Sequence, residues 1–286
     1  MELGTIGIWS SALRAAPPDQ ATEAVRRIEA FGFGTAWLPS GPPGQLERVR
    51  ELVEATSTLT VATGILNVYT ESDPRVTAAK FHDIDVAHPE RVLLGIGVGH
   101  PQNLPPGAYG PPLATIGRYL DALDRAPAPV PVDRRALAAL RPKMLRLSQE
   151  RSLGAHPYLT SPAHTRRART LLGEGPLLAP EQGVVLEADP VSARGVARLH
   201  LQRYLRLTNY VNNFRELGFV DADFEQGGSD HLVDEIVAWG SVGGVAERVR
   251  KHLDAGASHV AIQVLTERPH ELPVDEWSRL AAELLR

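Results

Sequence analysis

The sequence predicts an eight-stranded parallel β/α (TIM) barrel, an α/β fold, with a helical insertion between strand seven and the last helix. Three observations carry that expectation. Four apolar runs lie in the first hundred residues, Thr5–Trp9, Thr35–Leu38, Leu59–Ile65 and Val92–Gly97, and their centres recur at roughly the length of one strand-plus-helix unit. Each run is apolar throughout rather than alternating, as a parallel strand covered on both faces requires. The length of 286 residues suits one barrel with one insertion, read here as a single domain over 1–286.

Helix signals fall between the strands. Pro18-Asp19 opens a segment with Ala21, Ala24, Val25, Ile28 and Phe31 on one face, and Gly32 stops it. Gln45–Thr56 is the second helix. Asp73-Pro74 pairs an N-cap residue with proline at the first helical position, leading into Ala78, Phe81 and Ile84. The same device recurs at Ser161-Pro162 and Asp189-Pro190. Thr115–Arg125 is the fourth helix. The fifth strand is read at Ala136–Leu140 with helix Pro142–Arg151. The sixth is Leu153–Tyr158 with helix Pro162–Leu172, and the seventh is Val184–Glu187, which Leu178–Gln182 could extend. Ser241–Ala255 is amphipathic through Val242, Val245, Val249 and Leu253, stops at Gly256, and is followed by the eighth strand, His259–Leu265. The stretch 189–240 is far longer than one crossover helix needs. Pro190–Leu207 reads as the seventh helix, with Tyr210–Leu217 and Leu232–Trp239 as additional helices of the insertion.

Composition narrows the function. There are no cysteines, which excludes disulfides, thiolate catalysis and cysteine-ligated metal. A formal charge of −4 gives no reason to expect nucleic acid. No run approaches the length of a membrane span, and no signal-peptide pattern opens the chain, so a cytoplasmic protein without a membrane partner is expected. Schiff-base chemistry would need a lysine at a strand end, yet Lys80 and Lys251 lie on helices and Lys143 starts one. No paired histidines on an early strand suggest a metal, so none is expected.

The strand ends carry chemistry, and in a β/α barrel the C-terminal ends of the strands build the active site. His100, directly after the fourth strand, is the first candidate for a catalytic group, because histidine exchanges a proton near neutral pH. His156, at the end of the sixth strand, could hydrogen-bond a ligand or sit satisfied in the core, and Tyr158 offers the same. Glu181, a carboxylate in an apolar run, could act as an acid if it points into the barrel mouth. Asn67 could donate to a carbonyl, Trp9 could wall the pocket, and Asn212-Asn213 could reach it from the insertion. The segment Pro101–Pro112 contains five prolines and would suit a stiff lid.

Taken together, Gly4–Trp9, Gly32–Pro39, Ala62–Tyr69, Leu93–His100 and the run from Ala246-Glu247-Arg248-Val249 to Asp254-Ala255-Gly256-Ala257 resemble the luciferase-like monooxygenase superfamily. The likeness is to its actinobacterial branch that uses the deazaflavin coenzyme F-420. The resemblance implies a cofactor ring against the C-terminal strand ends, backed by a non-proline cis peptide at Gly64-Ile65. It also implies a phosphate at the helix start Leu140-Arg141-Pro142-Lys143, where Arg141 replaces the family's glycine. The candidate set is therefore His100, His156 and Glu181 for catalysis, with Gly64, Ile65, Asn67, Arg141, Pro142, Lys143 and Tyr158 for the cofactor. The implied function is hydride transfer between coenzyme F-420 and a small organic substrate, in a homodimer. FMN is the alternative cofactor, for a luciferase-like monooxygenase. A barrel that binds a flavin or deazaflavin without turnover is the non-enzyme alternative.

Overall fold

A computed structural model describes residues 1–285. Helices and short parallel strands alternate along the chain: β1 (Ile6–Trp9), α1 (Ser11–Ala15), α2 (Pro18–Ala30), β2 (Thr35–Leu38), α3 (Gln45–Glu54), β3 (Thr60–Thr63), β4 (Leu66–Asn67), α4 (Pro74–Ala87), β5 (Val92–Gly97), α5 (Pro112–Asp124) and β6 (Arg135–Leu137). They continue with α6 (Pro142–Arg151), β7 (Gly154–Ala155), α7 (Pro162–Leu172), β8 (Leu177–Leu178), β9 (Glu181–Val185), α8 (Pro190–Tyr204), α9 (Thr208–Glu216), α10 (Asp230–Ile236), β10 (Ala238–Trp239), α11 (Val242–Asp254), β11 (Val260–Val264) and α12 (Val274–Leu284).

The strands form one curled sheet in the order β10-β9-β11-β1-β2-β3-β5-β6-β7-β8, with β4 also against β5. Every pairing is parallel. Pro180 separates β8 from β9, and this short segment bonds to both sides. Glu181 N donates to Pro157 O at 2.8 Å, and Ala261 N donates to Pro180 O at 2.9 Å. β8, at one end of the strand order, and β9, next to the other end, are therefore joined across the proline, and the sheet comes round on itself.

Inside the curl, Trp37, Ala62, Leu93, Ala136, Ala179 and Ala261 pack together. One large ring accompanied by small side chains fills a narrow interior. A larger apolar layer lies between sheet and helices, with Ile8, Val25, Ile28, Leu52, Phe81 and Trp277 fully or almost fully buried. The stretch from α8 to α10 has its own cluster around Leu201, Phe214, Leu232 and Ile236.

Several sequence expectations change in detail. Eleven short strands replace eight longer ones. The third expected strand is interrupted at the cis peptide Gly64–Ile65, and the seventh by Pro180, whose missing N–H cannot join a ladder. The expected helix Leu232–Trp239 is displaced to Asp230–Ile236, because Ala238 and Trp239 pair with Val184 and Val185 as a strand. Ser229 sets its start by accepting a bond from Leu232 N. The fourth expected helix begins at Pro112 rather than Thr115, which shortens the proline-rich segment, and Pro101–Asn103 forms a 3₁₀ turn within it.

Candidate functional site

The C-terminal ends of the strands open into a cavity of about 1150 Å³. Its floor comes from Trp9, Gly64, Ile65, Asn67 and His156, and its walls from His100, Tyr109, Tyr158 and the segment Ala138–Met144. From α8 and α9 come Arg203, Tyr204, Tyr210, Asn212 and Glu216. Most of the expected site residues are thus brought to one place, with Glu181 the exception.

The floor is fixed by a column of side chains along the sheet interior. His259 Nδ1 donates to Gly4 O at 2.8 Å, so its Nε2 is unprotonated and accepts from Trp37 Nε1 at 3.0 Å. Trp37 stacks on His156 with ring centroids 4.2 Å apart and planes 14° from parallel. His156 Nδ1 donates to Ala179 O at 2.7 Å. A carbonyl can only accept, so the His156 proton sits on Nδ1 and its Nε2 is a bare lone pair. Burial pulls both histidines down to about 4. His156 therefore stays neutral and does not deliver a proton at neutral pH.

Above this column lies the cis peptide Gly64–Ile65. Trp9 Nε1 donates to Gly64 O at 3.1 Å. A methyl group on Gly64 would lie 2.7 Å from Trp9 Nε1 and 3.0 Å from His156 Nε2. Only glycine leaves the backbone bare there. Asn67 Oδ1 is used locally, accepting from Tyr69 N at 3.0 Å, so its Nδ2 is the end left to donate.

An aromatic wall stands on one side. Trp9 and Tyr158 have centroids 5.2 Å apart, Tyr158 and Tyr204 5.4 Å, Tyr204 and Tyr210 5.3 Å, and His100 and Tyr210 5.2 Å. The Tyr158 hydroxyl is engaged behind the wall. It donates to Gln263 Oε1 at 2.8 Å and lies 3.0 Å from Tyr204 Oη and 3.2 Å from His200 Nε2. It thus presents its ring to the cavity and not its hydroxyl. Burial lowers His100, so a neutral imidazole faces the cavity.

Glu181 begins β9 and is fully buried, but it does not line the cavity. Its Oε2 accepts from Leu159 N at 3.0 Å, while Oε1 has no partner. Burial without a countercharge pushes the carboxyl up to about 8, so it is protonated at neutral pH. The expected approach of Glu181 to the barrel mouth is not what the structure shows, because strand alternation places this side chain behind the tyrosine layer. Asn213 also turns away from the cavity, whereas Asn212 lines it.

The opposite end is cationic. Arg141, Lys143 and Arg167 line it with Glu216. Arg141 has extended backbone angles, φ −115° and ψ 157°, so no glycine geometry is required there. Arg167, Arg203, Tyr204, Tyr210 and Glu216 escape a sequence reading. Their contacts span dozens of residues, and no local motif marks them. Among the described residues no group of three or more His, Asp or Glu side chains is arranged to hold a metal ion.

Residues 4–106 match the family model of the luciferase-like monooxygenases. No curated protein sequence matches the chain. Among solved structures, the fold is similar to an F-420-dependent secondary alcohol dehydrogenase in complex with an F-420–acetone adduct. That pair has a TM-score of 0.75 and 13% identity, with 99% of each chain covered. It is also similar to the coenzyme F-420-dependent tetrahydromethanopterin reductase from Methanopyrus kandleri, with a TM-score of 0.73, 16% identity and 98% of each chain covered. A third is the oxygenating constituent of 3,6-diketocamphane monooxygenase from Pseudomonas putida in complex with FMN, with a TM-score of 0.67, 12% identity and 98% of each chain covered. The curled parallel sheet with its helices thus resembles the TIM-barrel fold of luciferase-like enzymes.

Proposed function

We propose that this protein is an eight-stave β/α barrel oxidoreductase, in which coenzyme F-420 binds at the strand ends and exchanges a hydride with a small organic substrate. The observation that carries the reading is the division of one cavity. A cationic end stands at the start of α6, and an uncharged aromatic end surrounds the bare Gly64 backbone. An elongated ligand with a flat ring and an anionic tail matches both ends. FMN has the same two-part chemistry and is the alternative, in keeping with the FMN-bound enzyme among the similar folds.

The residues present fit such a cofactor. Gly64 and Ile65 would back the ring, and Asn67 Nδ2 would donate to a ring carbonyl. Arg141, Lys143 and Arg167 would face the phosphate, which bidentate guanidinium groups suit. When bound, the cofactor supplies the carbon that takes up or releases hydride. Oxidation of an alcohol breaks a C–H bond and sheds the hydroxyl proton. Neutral His100 receives that proton, and in the reverse direction returns it to the carbonyl oxygen. Trp9, Tyr158, Tyr204 and Tyr210 exclude water and orient the substrate. His156 and Glu181 position the floor and wall, without exchanging protons. On this reading the partner is a small molecule, and the protein works in the cytoplasm as a homodimer. No helix of the described residues is long and apolar enough to cross a membrane.

Titration of purified protein with oxidised F-420 and with FMN, followed by their fluorescence, tests the reading. Stoichiometric binding of F-420 in preference to FMN is expected. Preference for FMN would move the protein to the flavin alternative, and binding of neither would overturn the proposal.

A further inference from the structure

The cationic end of the cavity already holds an oxyanion. Glu216 Oε1 lies 2.8 Å from both Nε and Nη2 of Arg141, and Glu216 Oε2 accepts from Arg167 Nη2 at 3.2 Å. All three side chains are partly exposed to the cavity. The backbone offers little to compete with the guanidinium groups. Pro142 has no N–H, and the Met144 and Leu145 N–H groups both donate to Arg141 O at 3.0 Å. An anion arriving here is therefore held mainly by side chains, and the two guanidinium groups among them are occupied.

The occupant is tied to the rest of the cavity. Glu216 is the last residue of α9. At the other end of this helix, Thr208 Oγ1 accepts a long 3.4 Å bond from Gln102 of the proline-rich segment. Tyr210 packs on His100. One short helix thus spans from the cationic end to the aromatic end.

The geometry points to Glu216 as a built-in competitor for the oxyanion place between Arg141 and Arg167, displaced when a phosphate-bearing ligand binds. Displacement frees the end of α9, so that occupancy of the cationic end is felt at Tyr210 and the aromatic end. The identity of the ligand rests on the cofactor reading above, but the competition itself does not.

Inorganic phosphate is the probe that keeps the two apart. In calorimetric titration of the full chain at low ionic strength, Glu216→Gln should bind phosphate about two- to fivefold more tightly than wild type, the scale of a partly exposed ion pair. Arg167→Gln should bind it more weakly. Saturating phosphate should speed hydrogen exchange at the C-terminal turn of α9 in wild type and leave it unchanged in Glu216→Gln. Equal or weaker phosphate binding by Glu216→Gln, or no binding by either protein, would overturn the assignment. Tighter phosphate binding by the variant with no binding of F-420 or FMN would uphold the competitor and remove the cofactor reading.

Discussion

Three buried titratable side chains lie at the floor of the site or behind its aromatic wall, and each is held in its neutral form. His156 and His200 are pulled down, to about 4 and about 3, while Glu181 is pushed up to about 8. Their effects on stability run in opposite directions. The histidines are neutral in the folded protein, whereas the unfolded chain takes up protons below about 6.5, so their contribution is lost as the solution is acidified. Glu181 keeps its proton when folded but loses it near 4.3 when unfolded. Its contribution is full below that value and is lost as pH rises through about 8. Glu181→Gln retains the shape and removes the titration. Relative to this variant, wild type should lose about 1.4 kcal/mol of unfolding free energy per pH unit between roughly 5 and 8, measured by urea denaturation. A difference independent of pH would show that Glu181 is ionised when folded.

At the scale of the element, three Asp/Ser-Pro pairs look alike in sequence and behave differently in the fold. Asp73 and Asp189 accept from Arg75 N and Ser192 N, each at 2.9 Å, but the Ser161 side chain makes no capping bond. Alanine at Asp73 or Asp189 should cost about 1 kcal/mol, and at Ser161 much less, judged from thermal unfolding. Equal costs at the three sites would contradict this. Helices were legible because proline, cap residue and apolar spacing are local signals. Strand limits were harder to read. Leu153–Tyr158 has the apolar character of a strand, yet only Gly154–Ala155 forms a regular ladder, since Pro157 and the positive φ of Leu159 end it. The strand Ala238–Trp239 was hidden because its partner, Val184-Val185, lies about fifty residues away and nothing local fixes the register.

For the whole molecule, the spacing of the apolar runs revealed the alternation of strand and helix. The position of residues after those runs revealed His100, Asn67, His156 and Tyr158 as neighbours at one end. The second half of the cavity was not legible in this way. Tyr204, Tyr210 and Glu216 reach it from α8 and α9, whose path depends on tertiary packing, and the Arg141–Glu216 and Arg167–Glu216 pairs join distant segments. Glu181 lies off the cavity for a related reason, because whether a strand residue faces a mouth or a buried layer depends on register. The claim that unites these observations is that one cavity holds a flat ring at Gly64–Ile65 and its anionic tail at Arg141 and Arg167. Solving the structure of the protein with the bound cofactor tests it most directly. The account predicts the ring against Gly64–Ile65, the phosphate between Arg141 and Arg167, Glu216 moved aside, and open space beside His100 for substrate. A ring bound away from Gly64, or a phosphate away from the arginine pair, would contradict it.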